Sequence, residues 1–154
     1  MTRNVICTVK NNSGYDLTLL GYAPGKNSDS SGGAFSNEHG TFHKGPESTL
    51  KNGKETLAFK IQKTSGGSVG TTGWVRYDLK NGQGQLVLMF NNPHDRSGKS
   101  SNKNCWFYAL IQGIEKERIG IPLMVRASVS GFNFNLADPT EQDEMNVTVT
   151  LESI

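Results

Sequence analysis

Within residues 91–104 stand three basic side chains, Arg96, Lys99 and Lys103, against a single acid, Asp95. His94 lies beside them, and Trp106, Phe107 and Tyr108 follow at the far end of the stretch. Cations and hydrogen-bonding groups next to aromatic rings suit an anionic or zwitterionic headgroup. Arginine or lysine holds phosphate, and an aromatic face attracts an ammonium group. Trp74, just beyond Gly70-Thr71-Thr72-Gly73, belongs to the same constellation, because tryptophan and tyrosine favour the membrane–water boundary. It shares a strand face with Arg76 and Asp78, opposite Val75, Tyr77 and Leu79, and is therefore expected at an interface. Trp106 shares a face with Tyr108 and reads more simply as core.

Catalytic patterns fare worse. Gly66-Gly67-Ser68-Val69-Gly70 fits G-x-S-x-G, but a nucleophile elbow needs a strand-to-helix turn, and this serine leads into another strand. Gly98-Lys99-Ser100 matches the tail of a phosphate-binding loop. The full motif needs a glycine where Pro93 stands and a helix afterwards, where "NCWFYALI" is a strand, so nucleotide binding of that kind is excluded. His39 and His43 have helical ligand spacing, but Gly40 in a Gly/Ser-rich segment argues for solvated loop histidines and no metal site. Asp138, Glu141, Asp143 and Glu144 lack the spacing and glycine of a calcium loop. The residues therefore point to a binding protein that is not an enzyme and carries no cofactor.

The chain has 154 residues, enough for one domain (1–154) with a proper core. Its net charge of +2 is too small to imply nucleic acid. No apolar run reaches membrane-spanning length. "MTRNVICTVK" enters a strand directly, without the apolar region of a secretory leader, so the expectation is synthesis in the cytoplasm. Cys7 and Cys105 are the only two cysteines. They form no disulfide framework and are expected as free thiols, with a bridge possible only if their strands are neighbours. Asn11 and Asn146 open glycosylation sequons, to which a chain without a leader gives little weight.

Positioning all of this is a series of strands. Apolar residues alternate at Val5, Cys7 and Val9; at Leu17 and Leu19; at Leu57, Phe59 and Ile61; at Val75, Tyr77 and Leu79; and at Leu86, Leu88 and Phe90. Val87 and Met89 occupy the opposite face of the last of these, which predicts a strand covered on both sides. "CWFYALI", "PLMVRASVSGFNF" and "EMNVTVTLES" add three more, and Asn81-Gly82 marks a hairpin turn. Only "GIEKERIG" could form a helical turn. Residues 23–53 read as one long irregular stretch. The expected architecture is a single all-β sandwich.

Three segments in order, "VKNNSGYDLTLL" (9–20), "GTTGWVRYDL" (70–79) and "LVLMFNNPHD" (86–95), resemble the aegerolysin family and its actinoporin-like relatives. The likeness spans residues 3–112 and is nearest to the small aegerolysin-like subunit of bacterial binary insecticidal toxins. The resemblance implies an antiparallel β-sandwich that binds membrane lipids, often sphingolipids, without catalysis. Actinoporins add an N-terminal amphipathic helix that builds the pore. This chain begins in its first strand, so the expectation is an aegerolysin-like component that needs a larger pore-forming partner. Phe90, Pro93 and Asp95 keep the spacing of the actinoporin phosphocholine segment. His94 stands where those proteins have a tyrosine, and Trp106-Phe107 replaces their tryptophan pair, which implies a different headgroup.

The reading is thus a lipid-binding half of a two-component, insecticidal pore-forming toxin that acts outside the producing cell at target membranes. Trp74, His94, Asp95, Arg96, Lys99, Lys103 and Trp106 are its candidate headgroup residues. The alternatives are a carbohydrate-binding lectin on a related sandwich and a self-sufficient cytolysin.

Overall fold

The computed structural model describes residues 3–24, 40–63, 70–79, 84–92, 106–113, 132–136 and 144–153. Among the described residues ten strands build two five-stranded sheets. In chain order they are β1 (Val5–Asn12), β2 (Leu17–Ala23), β3 (Thr41–Lys44), β4 (Thr49–Leu50) and β5 (Lys54–Gln62), then β6 (Thr71–Leu79), β7 (Gly84–Asn92), β8 (Trp106–Gly113), β9 (Phe132–Leu136) and β10 (Met145–Ser153). The first sheet runs β3-β5-β1-β10-β9 and the second β4-β2-β6-β7-β8. All pairings are antiparallel except that of β1 with β10, which is parallel from Val5↔Met145 to Asn12↔Glu152. The all-β sandwich expected from the alternation is the fold observed.

Period-2 patterning explains the core. Val5, Cys7 and Val9 from β1 and Met145, Val147, Val149 and Leu151 from β10 meet Val75, Tyr77 and Leu79 from β6 and Leu86, Leu88 and Phe90 from β7 between the sheets. Each such side chain contributes about 1.5–3 kcal/mol by leaving water. A relay of rings crosses this layer: Tyr22 to Phe42 (5.2 Å between centroids), Phe42 to Phe59 (5.8 Å), Phe59 to Phe90 (5.4 Å) and Phe90 to Phe107 (6.3 Å). Its first two contacts are edge-on, a favoured geometry for aromatic pairs. Because β2 and β3 belong to different sheets, the Tyr22–Phe42 pair joins the two layers along one side.

Two expectations need correction. Residues 23–53 are not one irregular stretch, since β3 and β4 lie within it. Phe42 packs on the core, and Leu50 is fully buried, paired with Leu17. Leu57 does not join Phe59 and Ile61 inside. A register shift between Cys7 and Thr8 pairs Phe59 with Cys7 but Leu57 with Thr8, so the inward position falls to Ala58, which is fully buried. One extra residue on a strand reverses the facing of everything beyond it. Residues 114–120 of "GIEKERIG" and residues 122–131 of the expected strand "PLMVRASVSGFNF" lie outside the described residues.

The pairings also fix the ends of the sandwich. Thr71, Asn92, Trp106, Ala23 and Met145 lie at one pole; the 13–16 turn and Lys51–Lys54 lie at the other.

Candidate functional site

β7 ends at Asn92 and β8 begins at Trp106, so both ends of the basic stretch are tethered at the first pole. His94, Asp95, Arg96, Lys99 and Lys103 lie outside the described residues. Trp106 opens β8, and its backbone pairs with Asn91.

The root of this stretch is a buried polar junction. Asn92 is fully buried, and its Nδ2 donates to the Asn4 carbonyl oxygen at 2.9 Å. The same oxygen accepts the Met145 backbone N–H at 2.9 Å. Asn4 Nδ2 in turn donates to Glu144 Oε2 at 3.0 Å, and Asn146 Nδ2 donates to Glu144 Oε1 at 3.2 Å. One backbone oxygen therefore ties the exit of β7 to the starts of β1 and β10, in the opposite sheet. Arg3 is buried beside Asn4, and Thr71, the cross-strand partner of Asn92, is buried as well. On the neighbouring positions Thr72 Oγ1 donates to Asn91 Oδ1 at 2.8 Å. Buried amides need such partners, because an unpaired one costs about 1–3 kcal/mol. The junction gives the stretch after Asn92 a fixed point of departure.

Sequence reasoning missed this junction, since Asn92 and Asn4 are 88 positions apart. The available signal was a short polar amide directly following the apolar run of β7.

Trp74 is not the exposed interfacial ring that its strand face implied. It is completely buried, in a second cluster with Ala23, Val87 and Met89, against which Tyr108 and Leu110 pack. This cluster lies on the outer face of the second sheet, so β6 and β7 are covered on both sides. The double-sided burial expected from Val87 and Met89 is borne out, and it includes the tryptophan. The Arg76 guanidinium carbon sits 5.3 Å from the Trp74 ring centroid and is nearly as buried. Among the described residues, Trp74 Nε1 has no hydrogen-bond acceptor.

Other candidates resolve as follows. His43 is exposed on β3, where helical ligand spacing has no meaning. No group of three His, Cys, Asp or Glu side chains among the described residues could hold a metal ion. Cys7 is a free, buried thiol whose pKa burial pushes far above its ordinary value. It is therefore neither a nucleophile nor half of a bridge. Asn11 is fully buried, and its Nδ2 donates to the Leu50 carbonyl, so its sequon is closed in the folded chain. Asn146 is exposed. No helix among the described residues is long and apolar enough to cross a membrane.

Sheet order, mixed pairing and polar junction together define a two-sheet β-sandwich of the kind expected from the sequence. Solved structures that share that fold include two proteins, Nakanori and RahU. The lipid binding protein Nakanori superposes with a TM-score of 0.69 at 15% identity, over 97% of this chain and 70% of that one. The RahU protein, solved in complex with a TRIS molecule, gives 0.52 at 11% identity, over 99% and 95%. No family model matches the chain, and no curated protein matches it. At these identities the likeness is one of fold.

Proposed function

We propose that this chain is a non-enzymatic, aegerolysin-like protein that binds membrane lipid through the pole at which residues 93–105 are tethered. The observation that carries the reading is the shared sandwich: nearly the whole chain superposes on a protein described as lipid-binding. The chemistry of the stretch agrees with it. Arg96, Lys99 and Lys103 supply charge-assisted donors for a phosphate or sulfate oxygen, and His94 and Asp95 can orient a hydroxyl or amine. Trp106 stands where the stretch meets β8. Trp74 supports the sheet from beneath and does not itself touch the headgroup.

The finer proposal is a sphingolipid-type headgroup and a larger partner protein that supplies the pore, in a two-component, insecticidal toxin acting at the target-cell surface. The test is sedimentation of the purified protein with liposomes of graded sphingolipid content. Retention that rises with sphingolipid and weakens in Arg96→Ala/Lys99→Ala is the expected result. Failure of every composition to retain the protein at low or moderate salt removes the proposal. Dye release from loaded vesicles separates the modes of action, since release by this chain alone argues against a required partner.

A further inference from the structure

Two turns, each crossing from one sheet to the other, meet at the pole opposite Asn92. The 13–16 turn connects β1 to β2, and Lys51–Gly53 connects β4 to β5. Asn52 clips them together. Its Oδ1 accepts the Gly14 backbone N–H at 2.9 Å, and its own backbone N–H donates to Asp16 Oδ1 at 2.9 Å. The next residue, Gly53, donates its N–H to the Asn11 carbonyl oxygen at 2.6 Å. Gly53 adopts φ +79°, with no atom within 4 Å of where a Cβ would stand. Asn52 and Gly53 are both exposed.

Asparagine followed by glycine is the sequence most open to intramolecular cyclisation, because no side chain shields the following amide nitrogen. That nitrogen is the one committed to Asn11 here, and the side-chain carbonyl it would attack is held by Gly14. We propose that Asn52 is a latent modification site, which deamidates only when the clip opens and whose products, isoaspartate above all, rebuild it less well. In the reaction the Gly53 nitrogen bonds to Asn52 Cγ as the Cγ–Nδ2 bond breaks. The displaced amide nitrogen leaves as ammonia, carrying the proton lost from Gly53. Water then opens the cyclic imide to aspartate or isoaspartate, with no redox partner required. Aspartate keeps the acceptor for the Gly14 N–H but places a second carboxylate beside Asp16, whose Oδ1 accepts from residue 52. Isoaspartate lengthens the backbone by one methylene and moves the Gly53 N–H off the Asn11 oxygen.

Peptide mapping by mass spectrometry tests this, with protein aged in mildly alkaline buffer either native or unfolded in urea. Asn81-Gly82 serves as an internal clock in the unfolded sample, where both pairs are expected to react at one rate. Native Asn52 is expected to deamidate about tenfold or more slowly than unfolded Asn52, since reaction must await local opening. Asp16→Ala, an exposed substitution, is expected to raise the native rate, and Asn52→Asp to lower the urea midpoint of unfolding. Equal native and unfolded rates at Asn52 overturn the proposal. A native rate unchanged by Asp16→Ala, or an undiminished midpoint in Asn52→Asp, overturns it as well.

Discussion

The Arg76 guanidinium carbon lies 5.3 Å from the centre of the Trp74 ring, and both side chains are buried on the face of β6 that points away from Tyr77. A cation over an indole face gains electrostatic attraction, and more of it when water is excluded. The pair thus lets a charged residue sit within a second apolar layer built on Val87 and Met89. In a Trp106→Phe variant, Trp74 emission is expected at short wavelength, unquenched by iodide and unmoved by vesicles. Trp74→Ala is expected to cost about 3–5 kcal/mol in urea unfolding. Iodide quenching of Trp74 in the folded protein counts against this placement.

Gly73 precedes that tryptophan, and a Cβ there would collide with the Ala23 carbonyl oxygen of the neighbouring strand. The space is closed by backbone, which cannot rotate aside as a side chain can. Gly73→Ala is therefore expected to destabilise the protein by about 1–3 kcal/mol, as overpacking does. Gly53→Ala meets no atom but must hold φ +79°, so its cost is one of backbone strain. Urea midpoints of the two variants check both expectations.

These residues show what the sequence could and could not convey. Alternation told correctly which residues of β1, β6, β7 and β10 face one another, because side-chain facing is a local property of a strand. It could not tell whether a face bearing Trp74, Arg76 and Asp78 meets water or a further layer. That depends on what the rest of the chain lays over it, and only Val87 and Met89 on the adjacent strand hinted at cover. The bulge that turns Leu57 outward leaves no trace in "ETLAFKIQK", since its cause is the pairing with β1. β3 and β4 were too short for any period to register. At the candidate site, the basic residues were legible as a charge pattern. The Asn4–Asn92 junction that anchors them was not, because it forms between the start of the chain and a strand end far along it.

Two buried acids are expected to lower stability in alkali. Burial raises the Cys7 thiol above its ordinary 9.0. Burial, then the nearby Cys7 and Glu47, raises the Tyr77 phenol above its ordinary 10.0. Well below pH 9.0 both groups are protonated in the folded and unfolded chain alike, so neither affects stability with pH. Above their ordinary values the unfolded chain loses protons that the folded chain keeps, and stability falls as pH rises. Each group then contributes a slope of up to about 1.4 kcal/mol per pH unit. Cys7→Ala and Tyr77→Phe are each expected to flatten the decline measured by urea unfolding across the alkaline range. Tyr77→Phe also loses the bond its hydroxyl donates to the Glu47 carbonyl at 2.8 Å, about 1 kcal/mol at neutral pH.

Asn11 carries the densest set of hydrogen bonds at the pole away from Asn92. Its Nδ2 donates to the Tyr15 carbonyl at 2.7 Å and the Leu50 carbonyl at 2.9 Å, while its Oδ1 accepts from Ser13 N at 3.1 Å and Ser13 Oγ at 2.6 Å. Only a side chain with donors on one atom and an acceptor on the other can satisfy all of these. Asn11→Asp keeps the acceptor and turns both donor contacts into oxygen facing oxygen within a fully buried site. Asn11→Ala removes every partner but adds no charge. The aspartate is therefore expected to be the more damaging change at neutral pH, by about 1–3 kcal/mol over alanine. The gap should narrow in acid, since protonation of the introduced carboxylate removes the buried charge and restores one donor. Urea titrations of the two variants at neutral and acidic pH measure that gap directly. An aspartate variant as stable as alanine at neutral pH contradicts the hydrogen-bond assignment.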